Sequence, residues 1–113
     1  MKTIRDLTDQ EIILTKHLLS LIPEYENGIP KKAWAMDDGG MESISFDIDG
    51  VSEFGKTLIE AEYKDSDGAT VLITLTADKN GNLYELDFWK TDFNKLVEYP
   101  TAEKIIKTAA NNV

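Results

Sequence analysis

The chain has 113 residues, no Cys, 21 acidic against 12 basic residues and a formal net charge of −9. These numbers exclude disulfide staples, thiolate catalysis and Cys-ligated zinc. They also oppose nucleic-acid phosphates and anionic lipid, both of which call for clustered Lys and Arg.

At 42% hydrophobic residues the chain can bury a core, and a single domain over residues 1–113 is expected. The start, Met1-Lys2-Thr3-Ile4-Arg5-Asp6, has no continuous apolar run behind its basic residues. No stretch approaches the ~20 apolar residues of a membrane span. The expectation is therefore a cytoplasmic protein with no leader and no membrane contact. Its acidity serves solubility in the plain reading, and attraction to a basic protein partner in the sharper one.

Thr8-Asp9-Gln10-Glu11 has the spacing of a capping box, and Ile12, Ile13, Leu18, Leu19 and Ile22 follow at helical intervals. Pro23 ends the pattern, so a helix is predicted over residues 9–22. Residues 24–31 read as a loop, and Ala33-Trp34-Ala35-Met36 as a short strand. Asp37-Asp38-Gly39-Gly40 is a turn. Residues 42–48 alternate, with Ile44, Phe46 and Ile48 on one face. Residues 57–64, 70–77 and 82–90 complete a run of strands, separated by the turns Asp65-Ser66-Asp67-Gly68 and Lys79-Asn80-Gly81. Thr101 is a candidate cap for a last helix through Ala110, with Ile105 and Ile106 facing inward.

Facing residues fix the register. A two-residue type I′ turn at Asn80-Gly81 opposes Leu75 to Leu86, Ile73 to Phe88, Thr74 to Asp87 and Leu72 to Trp89. A three-residue loop, Ser66-Asp67-Gly68 with Gly68 left-handed, opposes Ile59, Ala61 and Tyr63 to Leu75, Ile73 and Val71. A two-residue loop there would mix apolar with polar faces. The reverse face then gathers Glu60, Glu62, Glu85 and Asp87 with Leu58, Leu72 and Trp89. The predicted fold is α+β: an antiparallel meander of four or five strands, with an N-terminal and a C-terminal helix on one face.

No reaction motif emerges. Calcium loops centred on Gly50, Gly68 or Gly81 all lack the required ligand at the first and last positions or at one of them. Asp47 with Glu62-Tyr63-Lys64 superficially matches metal-dependent nucleases, but the match rests on three common residues and the charge opposes DNA. Carboxylates for glycoside hydrolysis could come from Glu60, Glu62, Glu85 and Asp87, yet such work needs a closed cleft. His17 is the only His and suits a partly covered helical position. Asp38-Gly39-Gly40-Met41 has no phosphate-loop Lys and reads as a turn. No cofactor and no metal are expected. Trp89 is open between a core position and an interface anchor.

The strings Met36-Asp37-Asp38-Gly39-Gly40-Met41 and Asp65-Ser66-Asp67-Gly68 carry a family resemblance. So do Glu85-Leu86-Asp87-Phe88-Trp89-Lys90-Thr91-Asp92-Phe93 and the start Arg5-Asp6-Leu7-Thr8. They resemble a family of small uncharacterised bacterial proteins over most of the chain up to about Pro100. By type the chain also resembles the immunity proteins of bacterial toxin systems, including contact-dependent growth inhibition. That resemblance implies a cytoplasmic, non-enzymatic protein that binds a cognate toxin domain, here a basic nuclease.

The residues expected to meet the partner are Glu60, Glu62, Leu72, Glu85, Asp87, Trp89 and Asp92. Two other classes stay open: a small metal-dependent or carboxylate-based enzyme at the same acids, and a structural subunit that forms a homodimer through the same face.

Overall fold

The capping box forms as its spacing requires. In the computed structural model, which describes residues 2–110, Thr8 Oγ1 accepts from the Glu11 amide (3.1 Å) and Glu11 Oε1 accepts from the Thr8 amide (2.9 Å). The helix they open, α1, runs Asp9–Ser20 and ends in a cap at Leu21, two residues before Pro23. Arg5 grips the Glu11 carboxylate with both guanidinium nitrogens (2.8 and 2.9 Å). Burial alone would push the Glu11 carboxyl up, but Arg5 and Thr8 outweigh it and hold it below its ordinary range. The buried stripe of α1 is Leu14 and Leu18, continued by Ile22, whereas Ile13 points outward at 59% exposure.

Seven strands lie among the described residues, one before α1 and six after it: β1 Ile4–Asp6, β2 Lys32–Ala35, β3 Ile44–Ser45, β4 Phe54–Lys64, β5 Thr70–Asp78, β6 Leu83–Lys90 and β7 Ile106–Ala110. They form one open sheet in the order β1-β2-β3-β6-β5-β4-β7, each neighbouring pair antiparallel. The central β4-β5-β6 meander is the one the sequence predicts. The count of four or five strands is corrected, because β1 is too short to show a period of its own and β7 lies where a helix is expected; the strand expected over residues 42–48 shrinks to the two residues of β3. The two added strands pair only when β2 and β4 are brought beside them.

The predicted C-terminal helix is also corrected. Residues Ala102–Lys104 make a single 3₁₀ turn in which Thr101 contributes no side-chain cap, and β7 then adds to β4. Ile105, Ile106 and Thr108 are β-branched, which weakens a helix. The edge of β4 offers unpaired amides and carbonyls instead. Ile106 consequently faces out, at 64% exposure.

The Ser66-Asp67-Gly68 loop closes between the Asp65 amide and the Ala69 carbonyl (2.9 Å), with Gly68 at φ +90°. The pairs Ile59–Leu75, Ala61–Ile73 and Tyr63–Val71 form as the faces require. A Cβ on Gly68 would meet no atom within 4 Å. Gly68→Ala is therefore expected to cost about 1 kcal/mol through backbone strain alone. Thermal denaturation checks this, and an unshifted midpoint would contradict the left-handed assignment.

The second hairpin differs from the type I′ turn. Its loop is three residues, closed by the Asp78 amide on the Asn82 carbonyl (2.8 Å), with Gly81 at φ +87°. The Asp78 carboxylate caps it by accepting from the Asn80 and Asn82 amides. The one-residue offset is absorbed by a bulge between Leu75–Leu86 and Ala77–Leu83, so Ile73–Phe88, Thr74–Asp87 and Leu72–Trp89 still pair. A further irregularity in β4 between Thr57 and Ile59 turns Leu58 into the core at 0% exposure. Leu58 therefore leaves the acidic face to which strict alternation assigns it.

Leu14, Leu18 and Ile22 join Ile59, Ile73, Leu75, Leu86 and Phe88 in one core cluster, with Leu96, Tyr99 and Ile105 packed against it. Helix α1 and the segment 94–105 thus cover the same sheet face. Lys90, two residues after Phe88, also points inward and is 0% exposed. Its ammonium meets Asp65 Oδ2 (2.9 Å), Asp67 Oδ2 (2.5 Å) and the Lys95 carbonyl (2.9 Å). Asp65 also accepts from the amides of Val97 (2.8 Å), Glu98 (3.0 Å) and Ser66 (2.7 Å). Burial would raise the Asp65 carboxyl, but these donors hold it down at about 2.

A carboxyl depressed in the folded state contributes stability that is present above its unfolded value and lost as pH falls through the folded one. The thermal midpoint is expected to drop between about pH 4 and pH 2. Asp65→Asn should flatten that drop, and an unchanged acid limb would contradict the assignment.

Candidate functional site

The face opposite α1 carries a row of side chains running across four strands. Trp89 on β6 pairs with Leu72 on β5, Leu72 with Glu62 on β4, and Glu62 with Ile106 on β7. Directly paired residues point to the same side of a sheet, so these four share one surface. Trp89 is 48% exposed, Leu72 43% and Ile106 64%, while Glu62 is half-buried between its neighbours. The adjacent row, Asp87–Thr74–Glu60–Ala109, adds two carboxylates on one flank. Glu85, opposite Ser45, lies one row further. The other flank holds Thr91, Thr70 and Lys64.

Beyond the end of β6 the chain turns back under the row. The Phe93 amide donates to the Lys90 carbonyl (2.9 Å) with Phe93 at φ +64°. Its ring meets Trp89 edge-on at 5.1 Å and stays 65% exposed. Asp92 belongs to this turn and not to a strand of the face, and its carboxylate accepts from the Asn94 amide (3.0 Å).

Six of the seven sequence-predicted contact residues therefore lie on strands of the open face, and Asp92 lies in the turn that follows β6. Two members of the row escape sequence reasoning. Ile106 falls in the stretch whose pattern predicts an inward-facing helix position. Phe93 follows the strand, where alternation no longer applies, and its one signal is its place in the string that includes Trp89.

The carboxylates are not equivalent. Burial and then the neighbouring Asp87 charge raise Glu85. Burial raises Asp87 too, with a hydrogen bond donated by Ser43 Oγ (3.1 Å) opposing and Asp38 adding.

The nuclease-like set is not assembled. Asp47 spends its carboxylate on the amides of Gly50, Val51 and Ser52. It follows β3, with β6 and β5 between it and Glu62 on β4. Asp38-Gly39-Gly40-Met41 is a turn, in which Asp38 accepts from the Met41 and Ser43 amides. Among the described residues no three His, Cys, Asp or Glu side chains are gathered as a metal site.

One covered face and one open, acid-flanked aromatic row define an α+β sheet protein whose exposed chemistry lies on a surface. The chain belongs to a family described as a domain of unknown function, DUF6984, whose profile matches residues 4–100. That span includes β1 to β6 and ends before β7. No curated protein and no solved structure matches the chain significantly. No helix among the described residues is long and apolar enough to cross a membrane.

Proposed function

We propose that this protein is a non-enzymatic binding protein of the immunity type. It neutralises a cognate toxin domain, a basic nuclease, by covering that domain's nucleic-acid surface with the acidic sheet face. The observation that carries the reading is Trp89, a large aromatic residue 48% exposed in an open row beside Glu60, Glu62 and Asp87. Interface anchors favour such residues, and the surrounding carboxylates supply attraction to a basic partner. The net charge of −9 favours the same kind of partner over a second copy of the chain. Face-to-face pairing of two copies would set like charges against each other.

The test is protection. The chain is co-produced with the toxin domain encoded beside it, in cells that the toxin alone arrests. Restored growth and a one-to-one complex are expected, and Glu60→Lys with Glu62→Lys should abolish both. Continued arrest with folded protein present would discard the reading.

A second reading has one observation in its favour. The raised carboxyls of Glu85 and Asp87 suit a carboxylate-based enzyme. Calorimetric titration with Mg²⁺, Mn²⁺ and Ca²⁺ separates a metal-dependent version from the binding protein, which should give no micromolar site.

A further inference from the structure

Phe93 is held in a backbone conformation that bulky residues avoid. A side chain other than Gly at positive φ is strained, and the ring offsets little of that, since it remains 65% exposed. The turn that presents it is clamped at both ends. The Phe93 amide donates to the Lys90 carbonyl (2.9 Å), and the buried Lys90 ammonium donates to the Lys95 carbonyl (2.9 Å). The turn thus fixes Phe93 edge-on to Trp89 in advance of any contact.

We infer that the row Phe93–Trp89–Leu72–Ile106 receives an amphipathic helix of the protein partner. Its apolar stripe lies along the row, and its Lys or Arg side chains lie on the flank of Glu60 and Asp87. The inference rests on the reading of this face as a contact surface. Neighbouring strands are spaced ~4.8 Å apart, close to the 5.4 Å pitch of a helix, so one residue per helical turn meets one strand of the row, apolar over Trp89, Leu72 and Ile106 and basic over Glu62. The three gaps between the four strands make the row roughly 14 Å long, the span of about 10 helical residues, and Phe93 adds its ring against Trp89 at one end. The charge pattern orients the helix. Glu60 and Asp87 flank one side, with Glu62 inside the row, while Thr91, Thr70 and Lys64 flank the other. A helix with cations along one border fits one way round and not the other.

The probe is a peptide of about 18 residues made of Leu and Lys in amphipathic order. Its controls are the same composition scrambled and an all-Lys peptide of equal charge. Binding is read from Trp89 fluorescence in a Trp34→Phe background. The amphipathic peptide should shift Trp89 emission to the blue and bind at least tenfold tighter than either control. Phe93→Gly should weaken that binding about tenfold while raising the thermal midpoint, because it removes strain and a ring together. Leu72→Ser should weaken binding with the fold retained.

Equal binding by a control peptide, or undiminished binding by Phe93→Gly, would overturn the inference. So would a Phe93→Gly chain that melts lower, since the ring would then be a structural support. A chain that binds the striped peptide yet protects no cell discards the immunity reading alone. Protection without peptide binding discards this inference alone.

Discussion

Asp65→Ala is expected to lower folding stability by about 3 kcal/mol or more. The carboxylate accepts from three backbone amides and from the Lys90 ammonium, and both partners of that ion pair have fully buried side chains. Truncation leaves the amides of Val97 and Glu98 short of an acceptor. It also leaves a buried cation with only Asp67 and the Lys95 carbonyl. The segment 94–105, which covers the sheet beside α1, loses two of its hydrogen bonds to the β4–β5 hairpin and keeps the one from the Tyr63 hydroxyl to the Glu98 carbonyl (3.0 Å). Chemical denaturation measures the loss. A change below about 1 kcal/mol would show that water reaches the site and replaces the carboxylate. A double change, Asp65→Leu with Lys90→Met, should recover part of the loss, because a buried pair removed whole is cheaper than one removed by half.

Trp89→Ala is expected to weaken the complex with the proposed toxin domain by about 2 kcal/mol or more, roughly thirtyfold, mainly through faster dissociation. Folding stability should change by about 1 kcal/mol or less, because an indole 48% exposed contributes little to the core. Single acid-to-Ala changes at Glu60 or Glu62 should instead slow association, and added salt should imitate them. Thermal denaturation run beside the binding measurement separates the two roles. A Trp89→Ala chain destabilised by about 3 kcal/mol would make Trp89 a core residue and remove it from the proposed interface.

The order of these effects follows from where each residue sits. Asp65 is legible in the sequence only as a turn residue, and its ion pair with Lys90 was not anticipated. Lys90 reads as inward by alternation with Phe88, but nothing local announces that two aspartates of another hairpin will meet it. Trp89 was legible as a member of the face, though not as exposed or buried. That depends on whether another segment folds over it, and the C-terminal segment instead covers Phe88, where the Tyr99 ring packs at 5.4 Å, tilted by 47°.

The sequence by itself determined the features that arise between residues close in the chain. The capping box at Thr8, the left-handed Gly68 and the register of β5 with β4 and β6 all follow from local hydrogen bonding and from a side-chain period of two. With the register came the gathering of Glu60, Glu62, Leu72, Glu85, Asp87 and Trp89 on one surface. Tertiary structure alone decided the rest. Leu58 moved into the core because a bulge cancels alternation. Residues Ile106–Ala110 became a strand because the free edge of β4 satisfies their backbone more fully than an uncapped helix could. Phe93 joined the row because a strained turn, anchored by Lys90 on the covered side, folds it back onto the open one. Each of these rests on hydrogen bonds or packing between segments distant in sequence, and a local pattern cannot encode which distant group supplies the partner.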